Sequence, residues 1–171
     1  MIWKTVRHED LAAADAYRIA CLKDQHWTHG ADSQLRWMAD NLRPGDLHLL
    51  GEEATGAAPR LLAYMTLTRL RVNVDGAEQD ALGVGCVCVD KTALGSGLGK
   101  RLVLEANRFI RECEIPGVLL CKDALVPFYQ KCGWSLLSCQ TASVAGAPYD
   151  KRIMTLDRMP ACASVDVDRN F

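Results

Sequence analysis

Val87-Cys88-Val89-Asp90-Lys91-Thr92-Ala93-Leu94-Gly95-Ser96-Gly97-Leu98-Gly99-Lys100-Arg101 decides how this chain reads. Cys86 to Val89 is a strand and residues 90–97 are a glycine-rich loop. From Leu98 the period turns helical: Leu98, Leu102, Ala106, Phe109 and Ile110 share one face, and Lys100, Glu105, Arg108 and Glu112 the other. A strand that feeds such a loop into a helix N-terminus makes an anion site. Glycines at 95, 97 and 99 let the backbone come close, first-turn N–H groups lack helical partners, and the helix dipole favours negative charge. Lys100 and Arg101 add positive charge. A Walker loop would follow Gly99-Lys100 with Ser or Thr, where this chain has Arg101. A Rossmann loop would read G-x-G-x-x-G, and it would not follow half of the chain.

Working outward, Ile2, Trp3 and Val6 mark a short strand, and Leu11, Ala14, Tyr17, Ile19 and Cys21 a helix capped near Glu9 or Asp10. Ser33 precedes a second helix carrying Leu35, Trp37, Met38 and Leu42, which Pro44-Gly45 stops. His48 to Glu52 reads as a strand and residues 54–59 (ATGAAP) as a turn. Residues 61–74 and 80–90 are the arms of a long antiparallel hairpin around Asp75-Gly76, a pair that supplies the positive φ values of a primed turn. Beyond the helix that Pro116-Gly117 ends, Val118 to Cys121 is a short buried strand and Leu125 to Lys131 a short helix. Trp134 to Cys139 and Arg152 to Leu156 are the closing strands.

The 171 residues suit one domain, 1–171. With 49% apolar residues, 24% charged and a net charge of -1 the composition is globular, and it offers no global field to attract nucleic acid or acidic membranes. An anionic ligand must therefore be held by local chemistry. No uninterrupted apolar stretch of about 20 residues is present to span a bilayer. MIWKTVRHEDL has no apolar core of signal-peptide length, so the expected setting is soluble and cytoplasmic. Eight cysteines (21, 86, 88, 113, 121, 132, 139, 162) are scattered without a CxxC pair, and no His or Cys pair follows at zinc-finger spacing. They read as core thiols, with no metal expected. Cys86 and Cys88, two apart, share one strand face.

Val87 to Val103 resembles the acetyl-CoA-binding motif of the GNAT N-acetyltransferases, V-x-V followed by R/Q-x-x-G-x-G/A at the helix start. Leu94 stands where that family has Arg or Gln. Val126-Pro127-Phe128-Tyr129-Gln130-Lys131-Cys132-Gly133-Trp134 resembles the family's later motif, FYxKxGF. The resemblance covers nearly the whole chain and implies an α/β GNAT fold. That fold has a mixed, mostly antiparallel sheet of about six to seven strands and about four helices, with strands 4 and 5 splayed to admit pantetheine. It also implies acetyl-CoA as co-substrate and a pyrophosphate held by Leu94, Gly95, Ser96, Gly97, Leu98, Gly99 and Lys100. Val87, Val89 and Phe128 would flank the pantetheine. The Val87 N–H would face the thioester oxygen as a one-donor oxyanion hole. Tyr129 would serve the leaving thiolate as proton donor or hydrogen-bond partner, since a phenol of pKa near 10 suits a thiol of about 8.5. A tyrosine packed in the core is the alternative.

The implied reaction is direct attack of a neutral amine on the thioester, with a carboxylate or His taking the ammonium proton, directly or through water. Gly83, Val84 and Gly85 stand where the family often places an acid. Candidates for the base are therefore Asp24, His26 and His29 between the first two helices, Asp123 before the Tyr129 helix, and Asp166 or Asp168 near Phe171. Each can equally be a solvated loop residue. Cys132 lies at a helix C-terminus, where the dipole raises a thiol's pKa, which argues against a ping-pong enzyme.

Within the superfamily the sequence is most similar to the aminoglycoside 2'-N-acetyltransferases, in residues 61–76, in YQKCGW and in the acidic segment ending at Phe171. That likeness implies an aminosugar acceptor held by Asp24, His26, Trp27, Asp123, Asp168 and Phe171, acids for the polycation and aromatic faces for the ring. Alternatives are acetylation of a peptide, polyamine or small metabolite, or a non-catalytic CoA-binding regulator. The expected partner is a small-molecule amine, with no nucleic acid and no membrane. A homodimer through the last strands is a further expectation, although residues 151–157 suit a solvent-facing edge equally well.

Overall fold

Alternating apolar residues at the N-terminus form β1 (Ile2–Arg7), which pairs antiparallel with β2 (Leu47–Glu53), Ile2 opposite Glu52 and Arg7 opposite Leu47. β2 pairs antiparallel with β3 (Arg60–Val74), Leu47 opposite Leu67. Residue 51 is a glycine because Trp3 lies across it, and a Cβ there would sit 2.5 Å from Trp3 Cζ3. The computed structural model describes residues 1–54, 59–157 and 159–171. Most of the turn expected at 54–59 lies outside the described residues. The chain divides into two units, Met1–Thr68 with Gly85–Glu105, and Arg69–Val84 with Ala106–Phe171.

In the first unit, α1 (Ala13–Asp24) and α2 (Ala31–Asn41) pack Ile19, Leu22, Met38 and Leu42 against Leu50, Leu61, Tyr64 and Cys88, with Cys86 on the same cluster. The shared face of Cys86 and Cys88 is thus as expected. Both helix starts differ from the sequence reading. His8–Asp10 forms a 3-10 turn, with the His8 and Glu9 amides donating to Asp46 O and Pro44 O. α1 therefore begins only at Ala13, behind Ala12 rather than behind an acidic cap. α2 begins at Ala31, ahead of Ser33, because Gly30 at φ 84 turns the chain and donates its amide to the Asp24 carboxylate at 2.7 Å.

The second unit holds the hairpin tip, where Asp75 and Gly76 adopt φ 50 and 90, between β3 and β4 (Ala77–Val89). It continues with β5 (Gly117–Cys121), α4 (Val126–Gln130), β6 (Ser135–Leu136), β7 (Cys139–Val144), β8 (Ala147–Pro148), β9 (Arg152–Leu156) and β10 (Cys162–Val167). α3 (Leu98–Glu112) has residues in both units and buries Leu98, Leu102, Ala106 and Ile110 as expected. The strand order is β6-β9-β5-β4-β3-β10-β7-β8. Leu70, Val72, Val118, Val144, Ile153, Val165 and Val167 are among its buried core residues.

Among the described residues this is the expected α/β architecture, four α-helices with an open mixed sheet, although that sheet has ten strands. The additions are short or come late in the chain. Residues 134–139 yield only the two-residue β6 and the first residue of β7, and β10 occupies what reads as an acidic tail, antiparallel to β3 and parallel to β7. β9 is no solvent edge. It lies between β5 and β6, with Ile153, Met154, Thr155 and Leu156 buried. β4 pairs in parallel with β5 over Leu82↔Gly117, Gly83↔Val118 and Val84↔Leu119, and runs on past that ladder to Val89. Among the described residues, no helix is long and apolar enough to cross a membrane.

Candidate active site

The glycine loop is built in the first unit on Asp90. Its carboxylate accepts from the Thr92 amide at 2.9 Å, from Arg60 Nη2 at 3.1 Å and from Gln25 Nε2 at 3.3 Å. Burial works to raise the Asp90 pKa, but the hydrogen bonds from Thr92, Gln25 and Arg60 outweigh it and hold the group at about 2. The ionised side chain ties α1 and β3 to the 3-10 turn Lys91–Ala93 that opens the loop. Gly95 and Gly97 then take φ 78 and 80, which fold the loop back on itself before α3. Ser96 is more than a spacer. Its hydroxyl donates to Ala93 O at 2.6 Å and accepts from the Leu98 amide at 3.3 Å, capping α3. The Gly99 and Lys100 amides belong to a first helical turn, where no intrahelical acceptor exists. Leu94 is 59% exposed, an apolar side chain at the loop surface.

The strand before this loop carries a left-handed residue. Cys86 has φ 51, a left-handed conformation costing on the order of 1 kcal/mol for a non-glycine residue. Cys86 and Val87 are both half-buried, between the buried runs Ala81–Gly85 and Cys88–Val89. At the end of β4, His26 Nε2 lies 2.6 Å from the Val89 carbonyl. A carbonyl only accepts, so Nε2 carries the proton and Nδ1 of the neutral ring keeps a lone pair. Trp27 meets the His26 ring edge-on at 6.0 Å, and its carbonyl accepts from Gln34 Nε2 at 2.7 Å. The α1–α2 loop thus carries His26 and Trp27 to β4, while Asp24 is engaged in holding Gly30.

In the second unit Tyr129 is 7% exposed, with Phe128 edge-on at 5.0 Å. Burial, reinforced by the Cys121 and Cys132 thiols, pushes its hydroxyl up to about 12. The Cys121 thiol also acts on Tyr149 and on Arg152, its partner in the β5–β9 ladder. His29 is exposed and its amide donates to Trp27 O at 2.8 Å, while the remaining carboxylates each have a partner of their own. Asp123 pairs with Arg152 at 2.7 Å. Asp168 accepts from the Arg71 amide at 3.0 Å, and Asp166 accepts from the Ser143 hydroxyl. Phe171 packs half-buried against the unit's core.

A family profile described as the acetyltransferase (GNAT) domain matches residues 8–137, more than half of the chain. The chain belongs to the GNAT acetyltransferase family. Solved structures carry the same fold at low identity. ElaA of Escherichia coli has 18% identity and a TM-score of 0.65 over 91% of this chain and 99% of its own. YhbS of Escherichia coli, a GNAT-family N-acetyltransferase in complex with CoA, has 18% identity and a TM-score of 0.64 over 96% and 88%. An aminoglycoside 6'-N-acetyltransferase complexed with coenzyme A has 12% identity and a TM-score of 0.65 over 94% and 100%. Among curated proteins none matches the sequence significantly.

As a GNAT domain the chain is an N-acetyltransferase. Two supports of its site escape the motif reading. Asn107, 1% exposed on α3, donates Nδ2 to Cys132 O at 2.7 Å and accepts from Trp134 Nε1 at 2.8 Å, clamping the segment that carries Tyr129. Its only sequence signal is an amide on the apolar stripe of α3. Lys23, 2% exposed, lies 3.9 Å over the Trp37 ring beside Cys86 and Cys88. Burial lowers its pKa. Four residues after Ile19 it reads as a surface lysine, and nothing in the sequence marks it.

Proposed function

We propose that this chain transfers the acetyl group of acetyl-CoA to the 2'-amine of an aminosugar of the aminoglycoside type. On this reading the pyrophosphate is held by backbone N–H groups over 95–100, with Lys100 adding charge, and Val87 and Val89 hydrogen-bond the pantetheine. The left-handed Cys86 supports this, because it departs from regular strand geometry beside the Val87 amide, which on this reading faces the thioester oxygen. His26, its Nδ1 lone pair set by the Val89 carbonyl, takes the proton of the acceptor ammonium. The neutral amine attacks the carbonyl carbon, the C–S bond breaks, and Tyr129 meets the thiolate. At about 12, Tyr129 is too weak an acid to give its proton fully to a thiolate of ordinary pKa near 8.5. It therefore stabilises the leaving sulfur as a hydrogen-bond donor. CoA-bound YhbS and the aminoglycoside 6'-enzyme share this fold and support the donor and the acceptor respectively.

The observation that carries the acceptor is a groove of about 530 Å³ in the second unit. Asp150 and Asp166 line it with the polar groups of Asn73, Gln140, Ser143 and Ser164, and no Lys or Arg does so among the described residues. Two carboxylates among hydroxyl and amide groups suit a hydroxylated polycation. Tyr149 and Asp150 are shared with a neighbouring cavity of about 440 Å³ that reaches Arg152. The test is thiol release from acetyl-CoA by the purified protein with a panel of aminoglycosides, the acetylated position being read by NMR. Product acetylated at the 2'-nitrogen is expected, and no turnover with any aminoglycoside would sink the reading.

A further inference from the structure

Cys139 and Cys162 stand opposite each other in the parallel ladder of β7 and β10. Neighbouring strands lie about 4.7–4.9 Å apart, inside the Cα separation of about 4.4–6.8 Å that a disulfide spans. Residues opposite in a ladder send their side chains to the same face, and both of these pack half-buried against the same core. The backbone is already fixed around them. The Cys162 amide donates to Ser138 O at 3.0 Å, and the Asp75 carboxylate accepts from the Ala163 and Ser164 amides at 3.2 and 2.7 Å. The Cys162 thiol lies 3.9 Å from Ser138 O, and the opposed register lets it close an S–S bond by rotating towards Cys139. The other six cysteines offer no such cross-strand pair among the described ladders.

We propose that Cys139 and Cys162 form a modification site, closed to an intramolecular disulfide by exchange with a low-molecular-weight disulfide. One cysteine thiolate attacks the small disulfide, forming a mixed disulfide and releasing one small thiolate. The second cysteine attacks the protein-bound sulfur and releases the other. Two protein thiols are oxidised, one small disulfide is reduced to two thiols, and the cysteine protons pass to the released thiolates. Burial and the neighbouring Cys139 push the Cys162 thiol up, so the exchange quickens in alkaline solution. Its consequence is mechanical. β10 supplies Ser164, Val165 and Asp166 to the groove, and β7 supplies Thr141 and Ser143, so the bond staples two walls of one cavity.

The experiment treats the full chain, carrying C21S and C113S to remove the two exposed thiols, with oxidised glutathione at pH 8.5, followed by mass spectrometry and peptide mapping. Two thiols should disappear per chain without a retained glutathionyl group, and a Cys139–Cys162 linked peptide should appear. Adding C139S or C162S should leave a single glutathionyl adduct at the remaining partner. The oxidised protein should melt several degrees above the reduced one, a shift absent from both variants. Stable glutathionyl adducts at both positions, a link elsewhere, or two unreacted thiols would each overturn the proposal, whatever the acceptor of acetyl transfer proves to be.

Discussion

Asn107 serves two buried partners at once, so its removal should be felt more than its size implies. N107A removes the acceptor of the Trp134 N–H and the donor to the Cys132 carbonyl, and a buried group that loses its partner costs about 1–3 kcal/mol. A loss of about 2–4 kcal/mol in urea unfolding is expected, with acetyl transfer weakened as the Tyr129 segment loosens. Y129F should keep the fold and the acetyl-CoA KM while lowering kcat by about 10². A loss of stability with kcat unchanged would place Tyr129 in the core and outside the chemistry. H26A should lower kcat/KM by a similar factor and leave the acetyl-CoA KM unchanged. At this scale the sequence was legible where neighbours close in the chain decide the conformation, as Pro127 and Gly133 do at the two ends of the short helix that carries Tyr129. Asn107, Lys23 and Asp90 were not, because their partners lie on other elements: Cys132 and Trp134, Trp37 and Cys86, Gln25 and Arg60.

Elements with an internal rhythm were equally readable. The stripe of α3 and the Asp75-Gly76 reversal appear as expected because their determinants lie within one turn or one strand pair. Helix starts were less so. The α1 and α2 caps are set by the 44–46 turn and by Asp24, neither of which a local rule detects. The loop from 90 to 97 lets these levels be tested together. G97A forces a left-handed backbone on a residue with a Cβ and should raise the acetyl-CoA KM at least tenfold, measured by thiol release. D90N keeps the shape of the cap but weakens the charge-assisted bonds to Thr92 and Arg60. It should raise the same KM by a smaller factor and leave the acceptor KM alone.

Across the molecule, pH enters through His48, which is fully buried between His8 at 3.0 Å and the Tyr64 hydroxyl at 2.8 Å. Burial chiefly, then His8, against the pull of Asp46, lowers its pKa to about 4 from the ordinary 6.5. Between those values the unfolded chain binds more protons, so stability is complete above pH 6.5 and falls as the pH drops towards 4, by up to about 3 kcal/mol. Urea midpoints at successive pH values should trace that decline, and H48Q should flatten it. At this scale the fold class and donor chemistry were legible, because the motif spacing follows the order of the elements. The groove proposed for the acceptor was not, since Asn73, Asp150 and Asp166 meet only through β10. That strand has a kinetic consequence. Val165 pairs with Val74 across about ninety residues of chain, and closing so long a loop costs about 4 kcal/mol before any contact repays it. The groove's second wall should therefore be assembled late in folding, after the β3–β4 hairpin has formed from neighbours, and refolding of this unit should be slow for its size.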